Sequence, residues 1–272
     1  MNSFRTILIA MFAACAFAGS AYGAYPGIYG MQDGTAGVVS VDGSVRFVAA
    51  RSGAATKISA LRTSDLAATR SATVAGAYGI PAMITNSVGL GMFRDGSAFV
   101  LQSMSNVGST SFAVVRTSDL QVRDTIVLSG SYAFDALSPD GSRLYLVEHR
   151  SADLQHYVVR AYDLDAHTLL PGRIADKSQR SWVMQGYPAA RVTTQTGRWV
   201  YTLYTNPTGV PFVHALDTVK GVAHCVGFAW TGSQNPLGQY RLRVSGGRLL
   251  VLRPGGGVYR SIDRRTWAVA LR

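Results

Sequence analysis

Carboxylates are scarce in this 272-residue chain: Glu148 is the only glutamate, and 15 acidic residues face 26 basic ones, for a formal net charge of +11. Paired carboxylates for general acid–base work therefore have little material to draw on. Cysteine is scarcer still. Of the two, Cys15 lies in an apolar N-terminal run and Cys225 stands alone, so no intramolecular disulfide can form downstream of that run. The five histidines, at 149, 156, 167, 214 and 224, show no metal-ligand spacing with each other or with cysteine. Nucleophile elbows, phosphate-binding glycine loops and dinucleotide fingerprints are absent. Beyond the N-terminal run, no apolar stretch is long enough to span a bilayer.

The composition is otherwise that of a folded domain: 47% hydrophobic and 15% charged, enough apolar material for one sizeable core. Abundant Gly, with Val, Thr and Tyr recurring in short runs, suits many short strands joined by turns. The N-terminus has the layout of a secretory leader. A short basic segment ends at Arg5, an apolar run follows from Thr6 to Phe17, and Ala21-Tyr22-Gly23 offers a small-x-small cleavage site. This predicts a signal peptide over 1–23 and a mature domain over 24–272, located outside the cytoplasm. Phe12-Ala13-Ala14-Cys15 is a poor lipid-attachment sequence, lacking Leu three residues before the cysteine. Cys225, set among Val222, Ala223, Val226 and Phe228, reads as a small buried hydrophobe.

A five-fold repeat organises the rest. Five tight turns, each followed by an apolar strand, contain Asp42-Gly43, Asp95-Gly96, Asp140-Gly141, Thr196-Gly197 and Gly246-Gly247, with glycines 53, 45, 56 and 50 residues apart. A second landmark keeps step with the first. Asp65, Asp119, Asp163, Asp217 and Asp263 follow the glycines by 22, 23, 22, 20 and 16 residues. Gly supplies the positive φ of a two-residue hairpin and Asp tolerates it, so each unit of about 50 residues reads as four antiparallel strands. Small sheets of this kind cover their faces by stacking around an axis. The expectation is all-β: a β-propeller of about five four-stranded blades, with six or seven as the alternative. The stretch from Ala24 to Thr35 is too short for another blade and could add a strand that closes the ring.

Ser138-Pro139-Asp140-Gly141-Ser142-Arg143-Leu144-Tyr145 resembles the hairpin signature of bacterial WD-type, TolB-like and lactonase-like propellers. The stretches 136–174 and Pro211 to Thr218 are similar to exported propeller proteins of actinobacterial type, a group without an assigned activity. The resemblance covers about the middle 150 residues, implies the fold, and carries over no catalytic residue, because the shared positions are turn and core positions.

The repeated aspartates are turn formers rather than calcium ligands, since close-set oxygen donors are missing around them. Glu148 and His149 alternate on a strand and so point to opposite faces. No catalytic residue, metal or cofactor is assigned. What remains is the loop end, where Trp182, Tyr187, Arg180, Tyr132, Tyr204 and Trp230 are the candidate ligand-binding residues, aromatic and Arg side chains being the residue types of recognition surfaces. The same side chains could equally plug the channel. The expected function is binding of a protein, a glycan or an anionic envelope polymer by a monomer, with nucleic acid not expected. The alternative is a hydrolase or lactonase with its site in the central channel.

Overall fold

The computed structural model describes residues 30–32, 37–82, 89–104, 108–177 and 184–271. The leader expected over 1–23, and with it Cys15, lies outside these residues. Among the described residues no helix is long and apolar enough to cross a membrane.

The strands, in chain order, are β1 (Gly30–Gln32), β2 (Val38–Val39), β3 (Val45–Ser52), β4 (Ala55–Arg62), β5 (Ala68–Ala75), β6 (Tyr78–Ala82), β7 (Ala98–Ser103), β8 (Ser109–Arg116) and β9 (Val122–Ser129). They continue as β10 (Ser131–Leu137), β11 (Arg143–His149), β12 (Tyr157–Asp163), β13 (Thr168–Leu169), β14 (Tyr187–Thr193), β15 (Trp199–Thr205), β16 (Phe212–Asp217) and β17 (Val222–Gly227). The last four are β18 (Arg241–Ser245), β19 (Arg248–Leu252), β20 (Val258–Asp263) and β21 (Val269–Leu271). They form five antiparallel up-and-down sheets: β2–β5, β6–β9 with β1 added, β10–β13, β14–β17 and β18–β21. Each sheet is one blade, and the protein is an all-β propeller of five blades.

A bond between the two landmarks explains why they keep step. In every blade the backbone N–H of the residue at the Asp-containing turn donates to the carbonyl just after the first turn: Thr63 to Ser44, Thr117 to Ser97, Leu164 to Ser142, Thr218 to Arg198 and Arg264 to Gly247, all at 2.8–3.0 Å. In three blades a threonine hydroxyl adds a second link. Thr63, Thr117 and Thr218 donate to the carbonyls of Gly43, Gly96 and Gly197 at 2.8, 2.7 and 3.0 Å.

The first turn differs from the expected two-residue hairpin in four blades. There the glycine amide closes an i→i+3 turn, as Gly43 does onto Ser40 and Gly141 onto Ser138, and the glycine then takes a φ near +75° as a bulge. In the three of these turns that carry one, the aspartate acts through its carboxylate instead of its backbone tolerance. Asp42 accepts from the Ser44 amide at 3.1 Å and from the Ser40 and Ser44 hydroxyls at 2.5 and 2.7 Å, and these bonds lower its pKa to about 2. Only the fifth blade has the two-residue form, with Ser245 pairing Arg248 across Gly246-Gly247.

Alternation along the strands sends apolar side chains to both faces of the middle blades. Four clusters fill four blade boundaries. Phe47 stacks on Phe99 at 4.9 Å between the first and second blades. Phe112 and Phe134 lie between the second and third, and Tyr157, Tyr204 and Phe212 between the third and fourth. Tyr201, Val213, Leu249 and Val251 lie between the fourth and fifth. Each such fully buried side chain contributes about 1.5–3 kcal/mol relative to exposure. Among the described residues no cluster of this kind joins the fifth blade to the first, and Arg241 and Arg243, which alternate with the buried Leu242 along β18, are exposed. Of the stretch 24–35, expected to add a ring-closing strand, only Gly30–Gln32 lies among the described residues, and that strand does not pair with the fifth blade. This strand, β1, pairs with β6, at the inner edge of the second blade.

Candidate binding face

Antiparallel order places the start of each first strand, the end of each second strand and the start of each third strand at the same end of the molecule. Tyr132, Tyr187, Thr205, Trp230, Tyr240, Arg253 and Tyr259 therefore gather at this end of the third, fourth and fifth blades. Of the six candidates, Arg180 and Trp182 lie outside the described residues.

Tyr132 and Tyr204 are internal. Tyr132 is 4% exposed, and its amide donates to Thr110 Oγ1 at 2.9 Å while that hydroxyl donates to the Gly130 carbonyl at 2.9 Å. The first-to-second blade link is built the same way, with Tyr78, Thr56 and Gly76. In both, the tyrosine ring lies back over the glycine, where a Cβ would stand 3.3 Å from the Tyr132 ring and 2.6 Å from that of Tyr78. The likeness of Gly76-Ala77-Tyr78 to Gly130-Ser131-Tyr132 is visible in the sequence and marks Tyr132 as part of the repeat. Tyr204 is 2% exposed and stacks between Tyr157 and Phe212, with centroids 5.1 and 5.2 Å away. Neither offers a ligand much surface.

Tyr187 and Trp230 are half-buried at the loop end. Burial pushes the Tyr187 phenol pKa up, and the Asp153 carboxylate nearby adds to the shift. Trp230 belongs to a group of rings around Tyr259, its own centroid 5.1 Å away, Tyr240 5.7 Å and Phe228 6.2 Å, all in edge-on geometry. Two guanidinium groups face the same Tyr259 ring, Arg260 at 3.9 Å and Arg253 at 5.1 Å. Sequence reasoning missed Tyr240, Tyr259, Arg253 and Arg260, because they come from a link, a third strand and a loop that only the fold brings together. The segment carrying Trp230 is fixed by polar bonds: the indole N–H donates to the Ser233 carbonyl at 3.0 Å, and Gln234 binds the Asn206 amide at 2.7 Å and carbonyl at 2.9 Å.

The opposite end of the blades holds a small cavity. It measures about 230 Å³ and lies between the second, third and fourth blades, lined in part by Arg94, Asp135, Arg191 and Gly197. That is smaller than the roughly 300–1,000 Å³ of typical small-molecule sites. Asp135 and Arg191 form a buried ion pair across the boundary of the third and fourth blades, and Arg94 donates to the Gln195 carbonyl.

Arg191 begins a polar row across the fourth blade. It continues through Thr202, His214 and Cys225, which pair strand to strand, and ends at Asp176, whose carboxylate accepts from the Cys225 amide at 2.9 Å. His214 Nδ1 is 3.5 Å from Cys225 Sγ. Nucleophilic work would need a thiolate beside an imidazolium. Burial drives both groups the other way, the His214 pKa down to about 4 and the Cys225 thiol up to about 12. Elsewhere, Glu148 bridges Arg160 at 2.9 Å and Arg150 at 3.2 Å, while His149 turns its Nδ1 to the Leu154 carbonyl at 3.1 Å. The one glutamate and its histidine neighbour thus do not converge. Among the described residues no group of three His, Cys, Asp or Glu side chains could hold a metal ion.

Solved propellers are similar in fold. TolB from Acinetobacter baumannii matches at 15% identity and a TM-score of 0.49, over 85% of this chain and 54% of its own length. The chain thus spans about half the length of that relative. The Cps50 (Swd1) β-propeller domain of Myceliophteria thermophila matches at 11% identity and a TM-score of 0.51, over 90% of this chain and 73% of the domain. The Dos1 propeller matches at 10% identity and a TM-score of 0.51, over 86% and 56%. At these identities the likeness shows the fold alone. No protein-family model matches the sequence, and neither does any curated protein.

Proposed function

We propose that this chain is an exported propeller that works as a binding module, engaging a protein, glycan or envelope polymer with the loop end of its third to fifth blades. The observation that carries the reading is the group of half-buried rings around Tyr259, faced by two guanidinium groups. Large rigid aromatic side chains beside arginine give contact area at low entropic cost, which is why they dominate binding hot spots. In this reading Trp230 and Tyr187 touch the ligand, and Tyr132 and Tyr204 hold the strands beneath them. Arg180 and Trp182, which fall between β13 and β14 in the chain, remain further proposed ligand contacts. The leader over 1–23 delivers the mature chain out of the cytoplasm as a monomer.

Retention on isolated cell-envelope material tests the reading, comparing the wild type with a Tyr187→Ala, Trp230→Ala double variant. The expected result is retention of the wild type and at least a tenfold weaker retention of the variant. Equal retention of both would remove the loop end from the binding site.

A further inference from the structure

The charge of this protein is unevenly placed. Residues 218–262 contain no Asp or Glu, but hold six cations: Lys220, Arg241, Arg243, Arg248, Arg253 and Arg260. This stretch supplies the first two strands of the fifth blade and the third as far as Ile262, one residue short of Asp263. More than half of the formal net charge of +11 therefore arises there.

Arg260 is the telling member. It is only 9% exposed, and an arginine buried to this degree ordinarily has a carboxylate partner. Here, among the described residues, no carboxylate lies within ion-pair distance of it. Its bonds go to neutral acceptors, the Ala229 carbonyl at 3.0 Å, the Tyr259 carbonyl at 2.9 Å and the Tyr259 hydroxyl at 3.2 Å. Three of the five guanidinium N–H groups are used in this way, which leaves two. Arg253, exposed at the end of β19, likewise gives its bond to a backbone carbonyl, that of Val258, at 3.1 Å. Two cations thus face one phenol ring with no counter-charge between them, and an anion placed there would gain charge-assisted bonds and relieve their repulsion. Beside them stands the apolar surface of Trp230 and Tyr240, suited to the C–H face of a sugar ring.

We propose that the Tyr259 centre of the fifth blade binds a carboxylate-bearing polysaccharide, with the carboxylate at Arg253 and Arg260 and a sugar ring against Trp230. This rests on the loop-end binding reading and names its ligand class. A ring and a charge on one repeating unit match a site that offers both, and a polymer lets neighbouring units meet Arg241 on the adjoining strand.

Binding of the purified protein to polygalacturonate tests this, with the fully methyl-esterified polymer and poly-glutamate as the other arms. Polygalacturonate is expected to bind, the ester, which keeps the ring and loses the charge, to bind at least tenfold more weakly, and poly-glutamate, which keeps the charge and lacks the ring, to bind more weakly as well. Arg253→Gln, at an exposed loop position, should weaken polygalacturonate binding about tenfold, the loss expected for one charge-assisted contact. Trp230→Ala should abolish the preference for polygalacturonate over poly-glutamate. Equal binding of polymer and ester, equal binding of poly-glutamate by the wild type, or an unchanged affinity in Arg253→Gln would each overturn the assignment. If polygalacturonate fails to bind while envelope retention still depends on Tyr187 and Trp230, the ligand class falls and the loop-end reading stands.

Discussion

The hydroxyl of Thr117 donates to the carbonyl of Gly96 at 2.7 Å and to that of Ser97 at 3.1 Å, tying the Asp-containing turn of the second blade to its Asp-Gly turn. Thr63 and Thr218 do the same in the first and fourth blades. These bonds fix where the second and third strands meet, so the spacing of the landmarks is a consequence of a shared contact.

Thr117→Val keeps the shape and removes the bond. Stability should fall by about 1 kcal/mol, the net value of a hydrogen bond of this kind. Urea unfolding measures it, and Thr117→Ser should restore most of the loss.

The Asp-containing turns also hold strain. Leu66 and Leu120 both sit at φ +59°, in the left-handed region that costs a non-glycine residue about 1–2 kcal/mol. Leu66 is 60% exposed, so Leu66→Asn should raise stability by about 1 kcal/mol, Asn being at ease in that conformation. Leu120 is buried in the cluster between the first two blades, and Leu120→Asn should instead cost about 3 kcal/mol. A urea midpoint that moves the same way in both variants would contradict this account.

Arg191→Met should cost about 3–5 kcal/mol, because it strands the Asp135 carboxylate in the interior. Adding Asp135→Asn should recover most of that loss, since the buried charge is then gone. Urea unfolding of the two singles and the double gives the coupling between them.

Burial holds the His214 imidazole neutral down to about pH 4, against the 6.5 of an ordinary histidine; the Asp135 and Asp176 carboxylates push its pKa up and Arg191 pushes it down. The unfolded chain therefore takes up the proton first, and stability falls as the pH drops from 6.5 towards 4. Between pH 7 and 4.5 this one residue should remove about 2 kcal/mol. His214→Gln should flatten the urea-midpoint profile by that amount in this window, while His149, shifted down by its own burial, affects both proteins alike.

Much of the fold was legible. The blades follow from the two landmarks, and the short alternating strands such as Arg143–His149 follow from their residues. The turn chemistry was legible only in part, because whether Asp42 works through its backbone or its carboxylate depends on the strand register around it. The binding face was the least legible. Tyr132 carries a repeat signature that the pair Gly76 and Tyr78 discloses, whereas nothing local distinguishes Tyr204, an internal ring, from Trp230, a half-buried one.

The sequence by itself determined the unit: turn residues and apolar alternation act between neighbours, so their spacing specifies five small antiparallel sheets. Tertiary structure alone decided which side chains share a site. Tyr259, Arg253 and Arg260 meet Trp230 because adjacent strands and a link end at the same edge. His214 meets Cys225 because the register of two strands sets them side by side. Such contacts depend on burial and packing between distant segments, which the order of residues along one strand does not encode.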